Sequence, residues 1–168
     1  MLRLVIAAFC LASSGFAETY LLTEASEHGE PLLITGQVLD AESRAGIPDA
    51  EIYLYQADTN GEYSPADSQD ESTARISGLV ISNEEGTFAF QTILPGEYPD
   101  QAEGNRHIHI HYARAGGYKE IGKVILFEHN VRNEVREWAN TTGFGIIIEL
   151  IQTDDGYVGE LELVLESK

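Results

Sequence analysis

The chain has 168 residues, of which 28 are acidic and 10 are Lys or Arg, for a formal charge of −18. That acidity argues against nucleic acid and anionic membrane surfaces as partners and favours solubility. The length allows one domain with a sizeable core, and a single cysteine, Cys10, rules out an internal disulfide framework.

Residues 1–17 (MLRLVIAAFCLASSGFA) combine one positive charge at Arg3, an apolar stretch from Leu4 to Ala12 and small residues near Ala17. This is the pattern of a secretory signal cut before Glu18, and the apolar stretch is too short to span a bilayer. A lipid-modified Cys10 is the competing reading, disfavoured by the bulky Phe9 before it. Cleavage leaves a formal charge of −19 (−18 minus the +1 of Arg3) and no cysteine. The expectation is a periplasmic or secreted protein with no membrane attachment after cleavage.

Residues 18–33 hold no clear period and are expected to form an arm over a single domain spanning 34–168. The pattern then predicts a strand over 34–39 and a turn-rich loop over 40–48 with Gly46 and Pro48. A strand over 50–56 follows, with Ile52, Leu54 and Gln56 on one face and Tyr53 and Tyr55 on the other. Gly61 ends it, and 63–75 (YSPADSQDESTAR) reads as a polar surface loop in which Asp67, Asp70 and Glu71 are solvated. Residues 78–82 and 87–92 read as a hairpin about the turn Asn83-Glu84-Glu85-Gly86. The Pro95-Gly96 turn re-aims the chain at Tyr98, and an acidic loop follows over 100–104.

Residues 107–111 read His-Ile-His-Ile-His. Successive strand side chains point to opposite faces, which puts His107, His109 and His111 on one face and Ile108 and Ile110 on the other. Neutral imidazole is a common donor to transition metals, so the row points to a metal or catalytic role. Beyond it the pattern gives a Gly116-Gly117 turn, a strand over 123–127 and one short helix over 131–138. Strands over 146–152 and 159–165 are expected to pair across Asp154-Asp155-Gly156. Short strands with turn signals about every 8–12 residues imply an all-β antiparallel sandwich with at most one short helix.

From about residue 34 to 165 the chain carries a series of motifs. They are Gly36-Gln37-Val38, Pro48-Asp49-Ala50, Tyr55-Gln56-Ala57-Asp58 with Gly61-Glu62-Tyr63, residues 85–93 (EGTFAFQTI), Pro95-Gly96-Glu97-Tyr98-Pro99 and His107-Ile108-His109. In order and phrasing the series resembles the intradiol ring-cleavage dioxygenases, the catechol and protocatechuate enzymes. The resemblance implies a transthyretin-like sandwich holding non-haem Fe(III) through Tyr63, Tyr98, His107 and His109. Tyr63 and His107 would be equatorial, and Tyr98 and His109 axial. It further implies that a catechol-type aromatic displaces Tyr98, which becomes a base. Both atoms of O2 then enter the ring to give a muconate-type diacid. On their own terms, two hard phenolate donors select a trivalent metal, whereas imidazoles alone accept zinc or copper as readily.

The sequence departs from the family pattern at several points. The enzymes usually carry Arg-Pro-x before the first His, whereas here Asn105-Arg106 abuts His107. Arg106 is the candidate for stabilising charge on the ring, although strand alternation directs its side chain away from the histidine face. Lys123 stands where the family often has Gln, His111 has no counterpart among the usual ligands, and the loop from Tyr98 to His107 is short. Two other readings are open. A non-catalytic module similar to the carboxypeptidase-regulatory and transthyretin-like domains shares much of the motif series but leaves Tyr63, His107 and His109 unexplained. Copper or zinc held by His107, His109 and His111 keeps the metal and changes its identity. A homodimer is compatible with the sequence.

Overall fold

The computed structural model describes residues 18–98, 104 and 106–168. The signal reading of 1–17 and most of the 100–104 loop lie outside the described residues. The strands are β1 (Thr19–Leu21), β2 (Pro31–Asp40), β3 (Glu51–Gln56), β4 (Ile76–Ile81), β5 (Thr87–Ile93), β6 (His107–Arg114), β7 (Ile121–Phe127), β8 (Gly145–Ile148), β9 (Leu150–Thr153) and β10 (Gly156–Leu165). They form two five-stranded sheets, ordered β1-β5-β2-β10-β9 and β4-β3-β6-β7-β8. One α-helix, α1 (Asn133–Thr142), and a single 3-10 turn at Glu71–Thr73 complete the described elements.

Period-2 alternation builds the core between the sheets. Leu32, Ile34 and Val38 of β2, Ile52 and Leu54 of β3, Ile108 and Ile110 of β6, and Leu161, Leu163 and Leu165 of β10 are all buried there. Each such side chain contributes about 1.5–3 kcal/mol by leaving water. The all-β sandwich expected from the sequence is what the structure has. Most pairings are antiparallel, and three are parallel: β1 with β5, β10 with β2, and β7 with β8.

The structure corrects several local expectations. The stretch 18–33 contributes the edge strand β1, and β2 starts at Pro31 because Leu32 already faces inward. Residues 78–82 and 87–92 flank the expected turn but do not pair as a hairpin: β4 joins β3 in one sheet and β5 joins β2 in the other. The turn is a corner, held where the Ser82 hydroxyl donates to the Ile47 carbonyl (2.7 Å) and Gly86 (φ +76°) packs against the Val38 carbonyl. The strand expected over 146–152 is two strands, since the chain passes from one sheet to the other at Glu149. The helix ends four residues later than expected. Val131, Val135 and Ala139, spaced by four, pack on Val124, Leu126 and Ile147, and Gly143 (φ +64°) caps it by donating to the Ala139 carbonyl.

Helix α1 lies on the side of the second sheet that faces away from the core, over β7 and β8. Residues 57–75 cover the β3 side of that same face. Between these two covers lie His107 and His109 of the central strand β6, in register with Leu126 and Val124 of β7.

Candidate metal centre

The turn that delivers Tyr63 is built by its own motif. Gln56 ends β3 facing the core, where its Nε2 donates to the carbonyls of Ile93 (2.9 Å) and Ala57 (3.2 Å) and its Oε1 accepts from the Thr92 hydroxyl (2.9 Å). The buried amide is fully satisfied and pins the strand end to the opposite sheet. Asp58 Oδ1 then accepts from the Asn60 and Glu62 backbone N–H groups at 2.8 and 3.1 Å, and Gly61 takes φ +80° to close the turn. Tyr63 emerges two residues later, 8% exposed, packed with Ala57 and Ala74.

The turn that delivers Tyr98 docks on the first one, backbone to backbone. The Gly96 N–H donates to the Asp58 carbonyl (2.8 Å), and a Cβ at Gly96 would fall 2.4 Å from the Thr59 carbonyl oxygen and 2.6 Å from the Gly61 nitrogen. Only glycine allows that approach. It explains why Pro-Gly-x-Tyr and Gly-x-Tyr work as a pair: the closeness of the turns brings the two phenols together.

The four side chains converge. Tyr63 Oη is 2.8 Å from Tyr98 Oη, 3.2 Å from His107 Nε2 and 3.1 Å from His109 Nε2. Tyr98 Oη is 3.1 Å from His107 Nε2, which is 3.0 Å from His109 Nε2. Neutral groups cannot satisfy these five contacts. The two phenols bring two protons, and one N–H fits between the facing imidazoles, leaving three hydrogens for five short contacts. Nitrogen and oxygen donors bonded at about 2.0–2.2 Å to one transition ion stand about 3 Å apart. The donor spacing and the excess of lone pairs therefore fit a cation shared by all four, and two phenols with two imidazoles suit a hard trivalent one.

Burial sets the electrostatics. It raises the Tyr63 hydroxyl far above the ordinary range, reinforced by the hydrogen bond and charge of Tyr98 and by Glu71. It also raises Tyr98, against the hydrogen bond from Tyr63 and with the help of Glu71. Burial, with the charges of His107 and His111 adding to it, depresses His109 to about 3. His109 is thus a neutral, ready donor at pH 7, while both tyrosines must lose a proton to ligate. Lowering the pH opposes that loss, so apparent affinity for Fe(III) is expected to fall about tenfold per proton, or about 100-fold per pH unit for two. Competition against a chelator of known pH dependence measures this. A pH-independent affinity would show that the phenols are not ligands.

Neighbouring residues refine the arrangement. Tyr55, paired with His109 across β3 and β6, stacks on its imidazole with ring centres 4.4 Å apart and planes within 4°. Sequence alternation placed Tyr55 on the correct face, but nothing in the pattern singled it out. The ion pair of Arg106 is with Glu97, whose Oε1 lies 3.7 Å from the Arg106 Nε. Lys123 donates its ammonium to the Gly143 carbonyl at the end of α1. His111 is exposed, beside a register shift in β6, with its ring edge-on to Tyr53 and Tyr55 at 6.0 and 6.1 Å. Among the described residues, no three His, Cys, Asp or Glu side chains are arranged to hold a metal, which leaves the three-histidine copper or zinc reading without a geometry.

Comparison with known proteins agrees with this architecture. A family model described as "Dioxygenase" matches residues 11–128. The catechol 1,2-dioxygenase of Acinetobacter baylyi is 28% identical over 146 residues, covering 76% of this chain and 45% of that protein. The 6-chlorohydroxyquinol 1,2-dioxygenase of Cupriavidus pinatubonensis is 30% identical over 158 residues, covering 82% and 54%. This chain therefore spans about half the length of the curated relatives it matches. The solved intradiol ring-cleavage dioxygenase from Tetranychus urticae shares the fold with a TM-score of 0.69 at 22% identity, over 94% of this chain and 90% of that one. The dioxygenase domain from Streptomyces sp. SirexAA-E does so with a TM-score of 0.68 at 24% identity, over 96% of each. With the family model matching well over half of its length, and with a dioxygenase fold throughout, the chain belongs to the intradiol ring-cleavage dioxygenase family.

Proposed function

We propose that this protein is an exported non-haem Fe(III) intradiol dioxygenase, which inserts both atoms of O2 into a catechol-type aromatic to give a muconate-type diacid. The observation that carries the reading is the convergence of Tyr63, Tyr98, His107 and His109, whose donor atoms stand 2.8–3.2 Å apart along five contacts. A ferric ion held there would supply the Lewis acidity that binds a catecholate and makes its ring reactive towards O2. A catechol-type substrate is supported by the relatives named for catechol and 6-chlorohydroxyquinol. Export rests on the signal pattern of residues 1–17.

The two tyrosines divide the work by burial. Tyr63 is enclosed and follows a turn fixed by Asp58 and Gln56, which suits a permanent ligand. Tyr98 is half-buried at the mouth of its turn and is the phenolate able to yield to a substrate oxygen. A free Tyr98 phenolate, whose acid form is favoured by burial, would accept a proton from a substrate hydroxyl at its Oη. Tyr55 keeps the His109 ring in plane by stacking on it. Arg106 adjoins His107 and is the candidate for stabilising charge on the ring, a role that requires its ion pair with Glu97 to open.

The test is direct. The iron-loaded protein is expected to be red to purple from tyrosinate-to-Fe(III) charge transfer, and to consume one O2 per catechol. The product should exceed the substrate mass by two oxygen atoms. A colourless iron-loaded protein, or failure of a panel of catechols to give ring-opened product, would refute the proposal.

A further inference from the structure

A second polar knot closes the path from Tyr98 to His107. Glu97 Oε1 accepts from the Gly104 N–H (3.0 Å) and from Asn130 Nδ2 (2.7 Å), and the Arg106 Nε lies 3.7 Å from the same oxygen. Asn130 Oδ1 in turn accepts from the Arg106 N–H (2.9 Å). Gly104, at φ +90°, packs so closely on the β7–α1 connection that a Cβ would fall 2.7 Å from the Asn130 carbonyl oxygen. One carboxylate and one amide therefore join the residue before Tyr98, the residue before His107 and a point between them. On its other side, Tyr98 is held only two residues back, by the Gly96 N–H on Asp58.

From this geometry we infer that Glu97 and Asn130 are positioning residues that fix the span between Tyr98 and His107 and govern how far Tyr98 withdraws when a substrate takes its place. The inference rests on the metal-centre reading of those two side chains. Tyr63 and His109 have supports of their own, in the Asp58 turn and in the Tyr55 stack, so loosening the knot affects one tyrosine and one histidine and spares the other pair. Gln at position 97 keeps an acceptor oxygen for both hydrogen bonds, and Ala keeps none.

The experiment compares Glu97→Ala, Glu97→Gln and Asn130→Ala with the parent protein. In the metal-free protein, hydrogen exchange at the Gly104 and Arg106 amides is expected to quicken about tenfold or more in Glu97→Ala and to return to the parent rate in Glu97→Gln. In the iron-loaded protein, Glu97→Ala is expected to shift the tyrosinate absorption band, release iron faster and lower kcat about tenfold with KM little changed. The effects of Glu97→Ala and Asn130→Ala should not add in the double variant. Parent-like exchange and an unmoved band in Glu97→Ala would overturn the inference, as would full additivity or a Glu97→Gln variant as impaired as Glu97→Ala. A parent protein without any tyrosinate band would refute the metal-centre reading instead, and the exchange rates would still decide whether Glu97 and Asn130 hold the Gly104 and Arg106 amides.

Discussion

His109→Ala is expected to lose iron and the visible band together, with O2 uptake on a catechol falling at least about 10³-fold. The size follows from position. His109 Nε2 contacts both His107 Nε2 and Tyr63 Oη, so its removal opens the donor set on two sides and leaves Tyr55 stacked on nothing. The fold should survive, because Ile108 and Ile110 on the opposite face of β6 supply its share of the core. A midpoint of thermal unfolding within a few degrees of the parent would confirm that. His111→Ala, two residues on and exposed, is the matched control and should retain iron at parent stoichiometry. A His109→Ala variant that keeps its iron and its colour would remove this residue from the centre.

Tyr98→Phe is expected to keep iron while kcat falls about 10²-fold, the usual scale for losing a positioned acid or base. The ring is preserved, so its packing beside Tyr63 remains; what disappears is one phenolate and the base it becomes. Iron content, the remaining tyrosinate band and turnover, measured on one preparation, separate this outcome from that of His109→Ala. Parent-like turnover would show that Tyr98 is not the substrate's proton acceptor, and loss of iron would show that it is an indispensable ligand.

The sandwich was legible because its core strands alternate cleanly: Ile52, Leu54 and Gln56 against Tyr53 and Tyr55, and Ile108 and Ile110 against the histidines. The convergence of Tyr63 and Tyr98 with the histidines was legible only through motif phrasing, since residues 35 positions apart reveal nothing to each other by periodicity. What joins them is a carbonyl at Asp58 and a missing Cβ at Gly96, and no local pattern announces such a contact. The false hairpin after β4 has a similar cause. Turn chemistry at Asn83–Gly86 says that the chain reverses, but which sheet receives it depends on Ser82 and Gly86 meeting the distant Ile47 and Val38. The single strand expected over 146–152 failed because an apolar run interrupted by one residue, Glu149, does not show where a chain leaves one sheet for another. Glu97 and Asn130 lay beyond sequence reasoning altogether, being ordinary polar residues whose role depends on a meeting across 33 positions.

The parallel pairing of β2 with β10 joins residues 32–40 to residues 157–165 across nearly the whole domain. The strands around the proposed metal ligands, β3, β6 and β7, all lie between residues 51 and 127 and leave the ribosome before β10. Until residue 165 has been made, β2 lacks a neighbour along one edge and Leu161, Leu163 and Leu165 are missing from the interior. Such long-range closure slows folding and leaves the nascent chain open until β10 has been made. The strands that carry the proposed ligands are thus translated first but cannot be sealed until β10 arrives, which makes closure of the core, and not synthesis of the ligands, the step on which a finished centre waits.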